Sequence, residues 1–368
     1  MRDVQDATRQ LFADLAEGRG GFDAVWSADL MYDGERRLSN LAIGEPDLSW
    51  DLGRFVVASG SVPVVWSDAF GTSMIPRRIG DWFSPFGSEM QIDVVISAGK
   101  YQDRIPMGRF IIDAVPDAED RRMLFEGQPF TVGESFKLEV SDRLTKVARD
   151  EFRVPTRATS TSAWQEVQAL TGFPILKSVP DAVVPAGMAY EGAKEPIVNK
   201  VFDLMNAWPH LTPDGVLTAL SKAWGSPVDT IRGRVSSPIS MTADNTYNSV
   251  VVEGKGDDGE PIFAFAEIVE GILRTTNAGG AVSPFGSRTF RYASEFLRTY
   301  DQCANYARTL LQRVSKLRGV RRTIVEPLNL LREVGDVVID ASDGATARIT
   351  QVKHRGAETT TLLEIPDE

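Results

Sequence analysis

Residues Gly254-Lys255-Gly256-Asp257-Asp258-Gly259 match G-x-G-x-x-G, the spacing by which a glycine-rich loop cradles a dinucleotide pyrophosphate. That chemistry needs the loop to open a helix, whose N-terminus holds the phosphates. The next residues, Pro261 to Ile268, read as a strand, and Asp257 and Asp258 would repel phosphate. The segment therefore reads as a polar hairpin loop. No Gly-x-Ser-x-Gly elbow occurs. The two histidines, His210 and His354, are far apart in sequence and read as surface residues, His210 beside Pro209 at a helix end and His354 at a strand end. The single cysteine, Cys303, falls on an apolar helical stripe and reads as a buried structural thiol. Acidic residues abound, but they cluster in turn-like segments such as Asp117–Arg122 and Asp257–Glu260, where solvation is the ordinary explanation. A carboxylate pair for sugar hydrolysis stays open as an alternative. The basic run Leu317–Arg322 suits either a partner's carboxylates or the C-terminus of the helix before it. No catalytic, cofactor-binding or metal-ligating residue is assigned, and no cofactor is expected.

The bulk numbers agree. A chain of 368 residues with 42% apolar and 25% charged residues can bury real cores and suggests two or three domains. The formal net charge of −11 argues against a nucleic-acid-binding surface, which needs clustered Lys and Arg. One cysteine allows no disulfide within the chain. The charged N-terminus does not read as a signal peptide, and no apolar run approaches the roughly 18 residues of a membrane span. A soluble protein made in a cytoplasm is the expectation.

The elements that would position any site alternate along the chain. Residues 4–17 read as an amphipathic helix striped by Val4, Leu11 and Leu15, with Ala7 and Phe12 at its edges, closed by Gly18. Strand patterns follow, with a hairpin signal at Asp33-Gly34 and alternation of Phe136, Leu138 and Val140 with Lys137 and Glu139. Ser162 and Gln165 stand at capping-box spacing before a helix ending at Gly172. Pro196 opens a second helix, and Pro213-Asp214-Gly215 reads as a tight turn. Strands return at 247–268. Thr299 and Gln302 then cap a helix over 300–318, with Phe296, Tyr300, Cys303, Ala307, Leu310, Val314 and Leu317 on one stripe and Gly319 at its end. Three strands finish the chain.

The expected fold class is mainly β with an α insert (α+β): two related β-barrel-like modules plus a small mixed helical insert. The expected divisions are an N-terminal helix and joint (1–21), a first β module (22–147), a helical insert with a hairpin (148–228) and a second β module with one long helix (229–368). The relation between modules rests on a repeat. Ser-Pro-Phe-Gly-Ser occurs at 84–88 and 283–287, followed by Gly108-x-x-x-Ile112-Asp113 and Gly335-x-x-x-Ile339-Asp340. This order predicts that Gly108 superposes on Gly335 and Phe110 on Val337.

From residue 247 onward, the hairpin, the "SPFG" loop, the helix "TYDQCANYARTLLQRV", "VEPLNLLREVGDVVID" and two strands come in an order that resembles the tail hub proteins of long-tailed phages. These are the minor tail or baseplate hub proteins of actinobacterial siphophages, similar to the hub of contractile tails. The central "EVSDRLTKVARDEF" and its helical sequel resemble the middle segment of that family. The resemblance covers about residues 20–365. It implies a non-enzymatic virion structural protein at the tail tip, synthesised in the host cytoplasm. It implies a homotrimer whose six β modules match a sixfold tail tube above and threefold fibre or spike proteins below. The implied partners are a distal tail protein and a tape-measure protein, with DNA passing through the lumen without specific binding. The chain stops soon after the second module, so receptor binding or wall cleavage is expected of other proteins. The alternatives are a carbohydrate-active tail hydrolase using paired carboxylates and the hub of a contractile injection system.

Overall fold

The period-two alternation read at Phe136–Val140 holds: Phe136, Leu138 and Val140 are buried, and Lys137 and Glu139 face solvent. The computed structural model describes residues 2–66, 73–125, 128–233, 236, 239–241, 243–277, 279–315 and 320–365. In chain order, helix α1 (Asp6–Ala16) precedes β1 (Asp23–Tyr32), β2 (Glu35–Ala42), β3 (Asp47–Asp51), β4 (Ala58–Trp66), β5 (Ser88–Ala98), β6 (Tyr101–Phe125) and β7 (Gln128–Asp142). The middle holds α2 (Thr145–Ala148), β8 (Glu151–Arg157), α3 (Ala163–Thr171), β9 (Ala189–Ala193), α4 (Lys194–Leu204), β10 (Ala207–Leu211) and β11 (Leu217–Ser221). The rest comprises β12 (Asp229–Ile231), β13 (Ile239–Met241), β14 (Ser249–Lys255), β15 (Pro261–Glu267), β16 (Thr289–Ala293), α5 (Tyr300–Ser315), β17 (Val320–Pro327), β18 (Val337–Asp340), β19 (Thr346–Arg355) and β20 (Glu358–Glu364). The protein is mainly β with a few helices.

Strands from both ends of the chain share one 13-stranded sheet, whose path runs β13-β17-β20-β19-β3-β4-β7-β6-β5-β1-β2, with β12 and β18 attached beside β19. The join is β3, which pairs antiparallel with β4 on one side and β19 on the other. Gly60 makes the join close: a Cβ there would lie 2.1 Å from the Asp47 carbonyl oxygen. The sheet path is open. At the β2 end, Ile43 makes a single bridge to Val64 of β4.

The chain repeats a meander, but in a different frame from the one the repeated pentapeptide suggests. The order β4-β7-β6-β5 is matched by β17-β20-β19-β18, antiparallel throughout. Each middle strand bulges against the last strand, between Ile349 and Gln351 in β19 and between Ile112 and Ala114 in β6, which shifts register again between Ala114 and Asp117 and between Arg121 and Arg122. The two Ser-Pro-Phe-Gly-Ser loops lead instead into non-equivalent strands: β5 inside the large sheet, and β16 in a separate sheet of order β15-β14-β16. Gly108 lies within β6 opposite Ile92, whereas Gly335 turns the chain into β18, the counterpart of β5. The expected superposition of Gly108 on Gly335 is thereby overturned. The pentapeptides share a local need, a glycine at positive φ (103° at Gly87, 82° at Gly286) entering a strand, and nothing more.

One core runs beneath the large sheet and extends into the middle segment, joining Ile92, Phe110, Leu138, Ile324, Val338 and Ile349 to Trp164, Val198 and Phe202. The middle segment is mixed: α3 and α4 stand with the hairpin β10–β11 and with a second two-stranded ribbon, β8–β9, that the sequence reading did not include. A satellite core lies between α5 and the three-stranded sheet, built from Cys303, Ala307, Leu310 and Val314 against Val250, Val252 and Ala264. Thr299 and Gln302 form the expected reciprocal cap: the Gln302 N–H donates to Thr299 Oγ1 (3.3 Å) and the Thr299 N–H to Gln302 Oε1 (3.1 Å). Tyr300, assigned to the buried stripe, is exposed, and Leu317 and Gly319 lie outside the described residues. The buried face of α1 centres on Thr8 and Phe12 rather than on Leu11 and Leu15, because Thr8 Oγ1 bonds to Tyr101 Oη (2.8 Å) and Phe12 meets Phe22 edge-on.

Candidate functional site

The residues that could carry chemistry are dispersed. The G-x-G-x-x-G segment is the β14–β15 turn and enters a strand, as its sequence context indicated. Gly254 is required by close approach, since a Cβ would fall 2.5 Å from both Cys303 Sγ and the Leu297 carbonyl oxygen. Cys303 is fully buried, and burial pushes its thiol pKa up, the wrong direction for a nucleophile. Among the described residues no group of three His, Cys, Asp or Glu side chains could hold a metal ion. Within the basic run, Arg322 pairs with Asp340 and Asp343 at 2.7 Å each; residues 317–319 lie outside the described residues.

Both histidines depart from the surface reading. His210 sits in strand β10, not at a helix end, and its Nδ1 has no hydrogen-bond partner. His354 is 1% exposed in β19, bonded through Nδ1 to Thr359 Oγ1 (2.9 Å) and packed edge-on against Trp50 at 5.4 Å. Burial lowers the pKa of His210 to about 4, against an opposing pull from Glu333, and that of His354 to about 3; Arg2 adds to both shifts. Arg2 itself is 6% exposed. Its backbone N–H donates to the Leu331 carbonyl (3.2 Å), its guanidinium donates to the Pro106 carbonyl (2.5 Å), and it stands 5.5 Å over the Trp50 ring. The N-terminal residues thus strap β6 to the segment before β18.

Other buried charges are structural and carry no mark in the sequence. Glu89 is held by Lys146 (2.6 Å), Arg109 (2.5 Å) and Arg143 (3.4 Å). Burial alone would raise its pKa, but these three cations bring it below the usual carboxylate value. Arg332, 4% exposed, bonds Glu326 (2.8 Å) and Asp229 (2.5 Å), tying β12 to β17. Among the described residues Asp142 has no cation partner; it accepts from the N–H groups of Ala58 (2.7 Å) and Leu144 (2.9 Å), and burial raises its pKa to about 7. These pairs join residues up to 103 positions apart in sequence, which no spacing rule could pick out.

Two outward features stand out among the described residues. Beyond the ladders to β5 and β4, which end at Ile111 and Glu134, strands β6 and β7 continue as a two-stranded arm to Phe125 and Gln128. Met123 and Leu124 are exposed near its end. The three-stranded sheet is covered by α5 on one face only. Phe263 and Phe265 of its edge strand β15 point away from that helix and are 54% and 72% exposed. Aromatic residues in such positions mark interaction surfaces. Exposed Glu35, Arg36 and Arg37 guard β2 against indiscriminate strand pairing. Among the described residues no helix is long and apolar enough to cross a membrane.

No protein-family model and no curated protein matches the chain. Solved structures do. A tail protein from Neisseria meningitidis MC58 aligns with a TM-score of 0.59 at 13% identity, over 93% of this chain and 97% of that one. The 43 kDa tail protein of prophage MuSo2 from Shewanella oneidensis aligns at 0.54 and 10% identity, over 93% and 99%. The prophage tail protein gp18 from Listeria monocytogenes EGD-e aligns at 0.50 and 11%, over 93% and 95%. Likeness at this level of identity is a likeness of fold: from end to end, this chain is built on the architecture of those three tail proteins.

Proposed function

We propose that this chain is a structural protein of a phage tail and acts by assembly, not catalysis. The observation that carries the reading is the end-to-end fold likeness, above 90% of both chains, to three proteins described as tail proteins. The finer reading is a hub at the tail tip. Three copies form a ring, and each contributes two β modules, residues 22–147 and 229–368, with 148–228 as an insert and 1–21 as an N-terminal strap. The duplicated meander supports it: two similar units per chain give six similar faces in a trimer, which suits a sixfold tube above and a threefold fibre or spike below. On this reading each unit is barrel-like, and in the first the Ile43–Val64 bridge serves as a closing contact. The partners are a distal tail protein, a tape-measure protein and fibre or spike proteins, in the virion of a siphophage infecting an actinobacterium. The net charge of −11 keeps such a ring from gripping passing DNA. Sedimentation of the purified chain over a range of concentrations tests the ring. A species with the mass of three chains supports it; a monomer or dimer at every concentration removes it.

A further inference from the structure

Two clefts meet along one side of α5. The larger, of about 580 Å³, lies between α4, β16 and the first turns of α5; the smaller, of about 210 Å³, lies between the β10–β11 hairpin, the end of α5 and β19. Asn206 and Thr309 line both, so they form one groove. It runs along the polar face of α5, past Gln302, Asn305, Thr309 and Gln312, opposite the helix's buried stripe.

The charge of this groove is opposite to that of the molecule. Its walls hold five cations, Lys200, Lys222, Arg298, Arg313 and Arg348, against two carboxylates, Asp203 and Glu364. Asp203 is already committed to Lys222 and accepts from Tyr292 Oη (3.2 Å). Among the described residues none of the other four cations has a carboxylate within ion-pair distance. Arg348 is 3% exposed and donates to the carbonyls of Lys222 (3.1 Å) and Ala223 (2.7 Å), leaving Nε buried without a partner. Arg298 likewise has a buried, unpartnered Nε. Burial lowers the pKa values of Lys222 and Arg348; Asp203 and Glu364 offset part of that, and Arg313 adds repulsion to both. Collecting unneutralised cations in a partly desolvated cleft costs stability unless an anion enters.

The aromatic lining narrows the choice of anion. Trp208 and Trp224 are engaged by the Arg348 guanidinium at 5.4 and 4.4 Å, and the Tyr292 and Tyr306 rings pack on each other at 4.7 Å. Bases and sugars bind by stacking on open ring faces. Here the rings are engaged with cations and with one another. What remains is a row of cations with side-chain amides such as Asn206 and Gln312 between them, which suits carboxylates carried on an extended main chain.

We infer that this groove binds an extended, carboxylate-rich peptide segment of a partner protein. The test uses the full chain and a fluorescein-labelled hexaglutamate peptide followed by fluorescence anisotropy. The probe should bind saturably at low salt and lose most of its affinity at about 0.5 M salt, where screening reaches a few Å. The double variant Lys200→Glu, Arg313→Glu should weaken binding by about tenfold or more, as loss of steering and contact charges does. Gln312→Glu, an exposed change that leaves the core alone, should weaken it in the same direction and stands in if the double variant does not fold. Unchanged binding in the variants would overturn the proposal. So would tighter binding of a single-stranded oligothymidine or a heparin hexasaccharide than of hexaglutamate, since the preferred anion would then be nucleic acid or sugar.

Discussion

Buried His354 and half-buried His210 should make this protein lose stability on mild acidification, earlier than its carboxylates alone would cause. In the unfolded chain a histidine titrates near 6.5; in the folded chain His210 holds out to about 4 and His354 to about 3. Each folded pKa is depressed, so each contribution is fully present above pH 6.5 and is lost as pH falls through the folded value. Between pH 4 and 6.5 the unfolded state carries one more proton per histidine, which gives a slope of about 1.4 kcal/mol per pH unit for each. Over that window one histidine accounts for about 3 kcal/mol, a large part of a typical stability of about 5–15 kcal/mol. Asp142 acts in the opposite sense. Its folded pKa is raised to about 7, so between 3.8 and 7 the folded state binds the extra proton and stability rises as pH falls. Variants separate these effects. His354→Phe keeps a ring beside Trp50 and should flatten the dependence between pH 4.5 and 6 by about 1.4 kcal/mol per unit; Asp142→Asn should steepen it by a similar amount. The assay is urea unfolding at fixed pH, with stability extrapolated to water at each pH. Curves for His354→Phe and the native chain that run parallel from pH 6.5 to 4 would refute the reasoning, whatever their vertical offset.

Leu310 is 4% exposed in the satellite core, so Leu310→Ala should cost about 2–5 kcal/mol, read as a lowered thermal midpoint; an unchanged midpoint would place it in solvent. Gly60→Ala puts a Cβ against the Asp47 backbone and should separate β3 from β4, destabilising the chain by more than about 3 kcal/mol or leaving it insoluble. A well-folded alanine variant would contradict that close approach. Arg332→Met leaves Glu326 buried without its cation and should cost about 3–5 kcal/mol in chemical unfolding; a neutral result would mean the pair is solvated.

Local features were legible in the sequence because local chemistry makes them. The reciprocal cap at Thr299 and Gln302, the turns at Asp33-Gly34 and Pro213–Gly215, and the strand character of the β14–β15 hairpin each depend on residues within a few positions. The sequence misled where a short string has two sources. Both Ser-Pro-Phe-Gly-Ser copies place glycine at positive φ before a strand, yet those strands belong to different sheets. The real duplication, a meander with a bulged middle strand, is written in pairing order, which side chains record only as alternation. His354 could not be told from a surface residue because its burial against Trp50 comes from residues far away along the chain, and the depressed pKa of half-buried His210 depends in part on Arg2, equally distant. The basic groove was equally invisible: its cations lie between residues 200 and 348 and converge only when α4, β11, α5 and β19 meet.

The central claim is that this chain builds a tail by threefold assembly of a duplicated β unit. Cryo-EM of intact tails from a phage encoding the chain tests it most directly, because the reconstruction gives copy number, symmetry and position together. The account predicts three copies in one ring at the tail tip, with the β4–β7 and β17–β20 meanders of each copy alternating around a pseudo-sixfold axis. Six copies in a ring, or no copy in the assembled tail, would contradict it.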